Sequence, residues 1–165
     1  MTVLEEIQKL HRYKKWANER MYDSCGQLSQ STAPTTCNSN TAGIVRMLSH
    51  VQLIDMVWKC HLEGTAHGFS SRQMENPPAM QELRSTQREI DDWYVNYCEL
   101  LDGSALSEIV EFAFIDGAQG SMTRGEILFH VVNHTTYHRG GIVGLLSSCG
   151  VHPYSTDLTV FLSNT

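Results

Sequence analysis

The sequence predicts an all-α fold: a four-helix bundle forming one domain over residues 1–165, with a long crossover, able to hold a short hairpin, between helices 3 and 4. Three observations carry this. The chain has 165 residues, of which 41% are hydrophobic, the size and composition of one domain able to bury a core. Four long segments repeat their apolar residues at helical spacing. Two of those segments open on a Thr-x-x-Glu capping box.

The elements follow in order. Thr2 with Glu5 starts helix 1, expected over Val3 to Leu28, where Ile7, Leu10, Ala17, Met21 and Cys25 share an arc. Residues 29–40, rich in Ser, Thr and Asn, read as a loop. Helix 2 is expected over 41–63, with Ile44, Met47, Val51, Ile54, Trp58 and Leu62 as its stripe. After a polar segment, Asn76 before Pro77-Pro78 reads as the N-cap of helix 3, which runs to about Leu101. In residues 102–122, Val110, Phe112 and Phe114 alternate with other residues, and Asp116-Gly117 can turn, so a hairpin or extended crossover fits. That crossover also permits a parallel pairing of helices. Thr123 with Glu126 opens helix 4, expected from Arg124 to Ser148, and a short mixed tail follows.

Composition excludes several classes of function. A net charge of -6 without a basic cluster argues against nucleic acid and against an anionic membrane as partners. No apolar run is long enough for a membrane span, and the amino terminus does not read as a signal peptide, so a cytoplasmic protein is expected. Five widely spaced cysteines, without a Cys-x-x-Cys pair, read as free buried thiols in a reducing compartment.

The chemistry sits in the histidines, eight in all. His130, His134 and His138 follow one another at intervals of four, so they are neighbours on helix 4. His134 and His138 share the arc of Ile127, Val131, Ile142 and Leu145 and point inward. Two adjacent buried imidazoles need partners, and a divalent cation satisfies both at once. Hydrogen bonds to backbone or to acids are the alternative. His130 lies about 60° from the centre of the arc and is expected above the site or behind the ligands. For a third ligand His50, mid-helix 2, is the best candidate, with His61 and His11 also near inward arcs. Thr135 stands where a zinc protease of the His-Glu-x-x-His type keeps its general base, which argues against peptide hydrolysis.

Further pocket candidates each have a structural alternative. Asn18 is a pocket hydrogen-bonder or a satisfied core amide. Asp55 is an acceptor behind a metal ligand, or a member of an ion pair or helix cap. Tyr137 is a donor to a metal-bound group or a packing residue. Arg139 reads as a structural ion pair or interface residue, and Trp16 and Trp58 as packing. Gly140, Gly141 and Gly144 suggest close approach of another helix backbone.

His130-Val-Val-Asn-His-Thr-Thr-Tyr-His-Arg-Gly140 resembles the signature of the DinB family of damage-inducible metal-binding bundles, which is unrelated to the polymerase sharing the label. Leu48-Ser-His-Val-Gln-Leu-Ile-Asp-Met-Val-Trp58 resembles its helix-2 motif, Tyr13-Lys-Lys-Trp-Ala-Asn18 its helix-1 motif, and Asp157-Leu158 also fits. The resemblance implies a bundle of mixed antiparallel and parallel helices, often a homodimer, with one divalent metal ion per chain on His50, His134 and His138. Zn²⁺ and Ni²⁺ are the expected ions. It further implies metal-assisted thiol transfer or hydrolysis with a small thiol and a small-molecule substrate. A non-enzymatic metal-binding stress protein is the other expectation.

Overall fold

A computed structural model describes residues 2–30 and 37–163. The order of elements is α1 (Val3–Gly26), α2 (Cys37–Glu63), α3 (Met80–Leu100), the strands β1 (Ile109–Ala113) and β2 (Gln119–Thr123), α4 (Arg124–Ser148) and α5 (Leu158–Leu162). No helix among the described residues is long and apolar enough to cross a membrane.

Both capping boxes form. Thr2 accepts from the Glu5 backbone and Glu5 returns the bond to Thr2, and Thr123 and Glu126 do the same at the start of α4. These pairs satisfy N–H groups that the first turn of a helix leaves without partners. Helix α1 stops at Gly26 and tightens into a 3₁₀ turn over Gln27–Gln30. Helix α2 begins at Cys37, inside the stretch expected as loop, and residues 31–36 lie outside the described ones. Its first turn, Cys37-Asn-Ser-Asn, is poor in helix formers, so tertiary contacts hold it rather than propensity.

Asn76 does not cap α3. That helix starts at Met80 behind Ala79, which makes no side-chain cap. Two successive prolines explain the delay, because the residue before a proline is pushed out of the helical region. The hairpin forms with Val110 opposite Met122 and Phe112 opposite Gly120. A Cβ on Gly120 would stand 2.7 Å from the Phe112 ring, so only glycine lets that ring cross the partner strand. The tail, expected as mixed, contains α5 behind Asp157, and Phe161 packs on Tyr13 and Trp16 of α1.

Side-chain contacts fix the helix directions. Gln8 meets Cys98 and Arg84 meets Asp23, so α1 and α3 are antiparallel. Gln52 meets Leu83 and Tyr97 meets Leu62, so α2 and α3 are parallel. His11 meets Leu128 and Asn18 meets Arg139, so α1 and α4 are parallel. Helices α2 and α4 are antiparallel, with His50 opposite His138 and Met47 opposite Gly141. The parallel pairing therefore falls on α2 with α3 and on α1 with α4; α3 and α4, flanking the hairpin, run opposite ways.

Apolar clusters fill the two ends of the bundle. Ile7, Trp58, Ile90, Tyr94, Phe112 and Ile127 pack at the hairpin end. Met21, Ile44, Leu48, Leu83, Ile142 and Leu146 pack at the other. Cys37 and Cys149 form a disulfide at this second end, with Cα atoms 5.4 Å apart. The expectation of five free thiols is corrected: Cys25 and Cys98 are buried thiols and Cys60 a half-buried one. The two bonded residues are 112 positions apart, and only the antiparallel α2–α4 pairing brings them together.

Candidate metal centre

Helix α2 contributes His50 and helix α4 contributes His134 and His138, one turn apart on the same face. One nitrogen from each ring falls in a group whose members all lie within 4.8 Å of one another. Nε2 of His134 is 3.3 Å from Nε2 of His50, and the His138 ring centre is 4.5 Å from that of His134 and 4.8 Å from that of His50. All three rings are half-buried.

The surroundings prepare these rings as ligands. His50 Nδ1 lies 2.7 Å from the Arg72 carbonyl oxygen. A carbonyl only accepts, so Nδ1 carries a hydrogen and Nε2 is the atom that faces His134. Burial, followed by the neighbouring His138 and His50, pushes His134 down to about 3, so it stays neutral at pH 7. Burial and then His50 also lower His138. Nδ1 of His134 is buried without a hydrogen-bond partner among the described residues. Three converging imidazoles with little else to satisfy them fit a cation, and the cluster can hold a metal ion.

Beside the cluster lies a cavity of about 230 Å³. Its apolar wall comes from Ile54, Val57 and Trp58 of α2 and from Phe114 and Ile115 at the hairpin tip. His50 and His134 stand on the metal side, His61 and His130 add polar edges, and Arg72 lines the mouth, paired with Asp116. No Asp or Glu among the described residues lines this cavity.

The other expected site residues separate. His130 lies beside the cluster, 5.7 Å ring to ring from His134 and edge-on to Trp58. Tyr137 is 77% exposed, outside the cavity, and touches His138 only from the solvent side of α4. Asn18 is a core amide that donates to Asp91 and accepts from Arg139. Asp55 does not support a histidine ligand. It pairs with Lys14 at 2.7 Å, accepts from Gln87 at 2.9 Å and is 0% exposed. Five residues past His50 on a helix means about 140° of rotation, which turns Asp55 to α1 and α3. Arg139 is not an ion-pair partner. It is buried and donates to Tyr13 Oη, Thr136 Oγ1 and Asn18 Oδ1. Of Gly140, Gly141 and Gly144, Gly141 is closely approached, by the Met47 side chain at 3.2 Å rather than by a backbone, and the other two are not.

Sequence reasoning missed Arg72, Phe114 and Ile115 at the site and the burial of Lys14 in the core. The Arg72 carbonyl is backbone and leaves no trace in residue type. Phe114 and Ile115 belong to a hairpin whose alternation was visible but whose docking over α2 was not. Lys14, part of the densest basic stretch, is 1% exposed and carries no surface charge at all.

The DinB family pattern matches this chain over residues 1–165. Protein DinB of Bacillus subtilis (strain 168) is 27% identical over 165 aligned residues, covering 93% of this chain and 92% of that protein. No solved structure matches. The chain belongs to the DinB family.

Proposed function

We propose that this DinB-family protein binds one divalent ion per chain, Zn²⁺ or Ni²⁺, on His50, His134 and His138, and transfers a small thiol to a small apolar electrophile. The observation that carries the reading is the convergence of three half-buried imidazole nitrogens beside a cavity walled by apolar side chains. A divalent ion held by neutral imidazoles keeps its full charge and favours the thiolate form of a bound thiol.

The chain's own residues supply the rest. The Arg72 carbonyl orients His50, and burial keeps His134 neutral. Ile54, Val57 and Phe114 exclude water and receive an apolar body, and Trp58 offers a ring edge to it. The volume suits a compound of on the order of ten heavy atoms. A thiol brings its own nucleophile, which suits a cavity without a carboxylate base. Thr135 supplies none either: its hydroxyl is buried and donates to the Val131 carbonyl. Peptide hydrolysis is therefore disfavoured. The same lack of a carboxylate favours a second reading, a metal-binding protein without catalysis.

The test begins with elemental analysis of protein purified without a His tag. Co²⁺ is then substituted and small thiols are added, followed by an aromatic electrophile such as chlorodinitrobenzene. A sulfur-to-cobalt charge-transfer band with turnover supports transfer. Metal binding without either result favours the non-catalytic reading, and no metal at all removes both.

A further inference from the structure

The α2–α4 seam is a ladder. Starting from the second end of the bundle, Cys37 is bonded to Cys149. A Cβ on Gly43 would stand 3.2 Å from Leu145 Cδ1, and one on Gly141 would stand 3.2 Å from Met47 Sδ. The next rung is His50 against His138 and His134. The metal cluster and the disulfide are thus two rungs of one helix pair, and the rungs between are packed too closely to slide independently. Packed interfaces transmit small displacements because they have few alternative arrangements.

From this we infer that Cys37 and Cys149 are a redox site that exchanges with low-molecular-weight disulfides and sets the metal affinity of the histidine cluster through the α2–α4 seam. The inference rests on the metal-binding reading above. Cys37 is the first residue of a 27-residue helix, where the helix dipole favours a thiolate, and Cys149 caps the carboxyl end of α4, where carbonyl groups disfavour one. Cys37 is therefore the attacking sulfur and Cys149 the resolving one. The Cys37 thiolate attacks one sulfur of a small disulfide and releases one small thiolate. The Cys149 sulfur then attacks Cys37 and releases the second. The two cysteine protons end on the two released thiols. The protein loses two electrons and the small disulfide gains them. Both cysteines sit at helix ends, where local opening admits the reagent without unfolding the bundle.

Closing the bond pins the α2–α4 register and preorganises the three nitrogens. Opening it frees the end of the seam, and the cluster must then be ordered by the metal itself. Coupling is reciprocal, so bound metal makes the disulfide harder to reduce.

The experiment compares wild-type protein oxidised with glutathione disulfide against protein reduced with a phosphine and desalted under argon. Alkylation after unfolding should modify three cysteines in the first sample (25, 60 and 98) and all five in the second. Zn²⁺ affinity is read by competition with a chromophoric chelator. The oxidised form should bind at least about five-fold more tightly. The double variant Cys37→Ser/Cys149→Ser, which offers no sulfur to zinc at this end, should bind weakly under both treatments. Equal affinity in the two wild-type states overturns the coupling while leaving the metal reading intact. Five alkylated cysteines after exposure to excess glutathione disulfide overturn the redox site. Absence of Zn²⁺ binding in both states overturns the metal reading and this inference with it.

Discussion

Helix α2 carries two polar clusters on different sides, and they solve the burial of polar groups in opposite ways. Asp55 faces the core, where Lys14 bridges it to Asp91 at 2.7 and 2.5 Å and Gln87 donates to both carboxylates. Asn18 donates to Asp91 and accepts from Arg139, linking that guanidinium to the cluster through its amide. Burial alone would push the Lys14 pKa down; Asp55 and Asp91 outweigh it and hold Lys14 above its ordinary value, fully charged. His50 faces α4, where three imidazole rings converge with no acid among the described residues lining the adjoining cavity. The first cluster supplies its own cation, although Asp55 Oδ1 and Gln87 Oε1 have no hydrogen-bond partner among the described residues. The second calls for a cation from outside. Charge closure separates a polar core from a binding site, and residue type alone does not.

The largest effect expected from this contrast is in the core. Lys14→Ala leaves two carboxylates buried without their cation and should cost about 3–5 kcal/mol in urea unfolding. A loss near zero would mean that water reaches the cluster and that it is no core at all. Asp55→Ala should cost a similar amount, with zinc binding retained under conditions where the variant is folded.

His11 sharpens the comparison through pH. It is buried beside Lys14, and burial followed by that cation pushes it down to about 3. An unfolded histidine titrates near 6.5, so between the two values the unfolded chain binds more protons and stability falls as the pH is lowered. His11 contributes its full stability above pH 6.5 and loses it progressively toward pH 3. Unfolding free energies of His11→Gln measured at pH 7 and pH 4.5 should therefore differ less than those of wild type. An unchanged difference would place the acid sensitivity elsewhere.

For the open cluster the expected loss is conditional on metal. Zinc at about 100 times its dissociation constant should stabilise wild type by about 2.7 kcal/mol. His134→Ala should remove that gain while changing metal-free stability by about 1 kcal/mol or less. If zinc still raises the melting temperature of the variant, the ion binds elsewhere.

The smallest effect concerns Lys15, the neighbour of Lys14. It pairs with Asp92 as Lys14 pairs with Asp91, yet both partners are about half exposed. Lys15→Ala should change stability by about 0.5 kcal/mol or less, because water replaces the pair. Two adjacent lysines with adjacent aspartate partners would then differ severalfold in cost, through burial alone.

Much of this molecule was legible in the chain. The capping boxes at Thr2 and Thr123 set the starts of α1 and α4 because they are local hydrogen-bond patterns complete within four residues. The spacing of His134 and His138 put both on one inward face for the same local reason. His50 owed its place to family resemblance more than to spacing, since several histidines bordered inward arcs. Where reading by residue type went wrong, the deciding contact was distant. Arg139 drew its hydrogen-bond acceptors mainly from α1, Asp55 took the ion-pair alternative with Lys14 of α1, and nothing local marked Lys14 as buried.

The sequence alone determined helix periodicity, capping and the pairing of two ligands one turn apart, all consequences of backbone geometry within one segment. Only the tertiary structure decided which helices run parallel, that Cys37 meets Cys149 and that Arg72 turns a carbonyl to His50. It also decided that a hairpin tip closes the cavity wall. These depend on packing between segments tens of residues apart, and one-dimensional periodicity carries no record of which face will meet which.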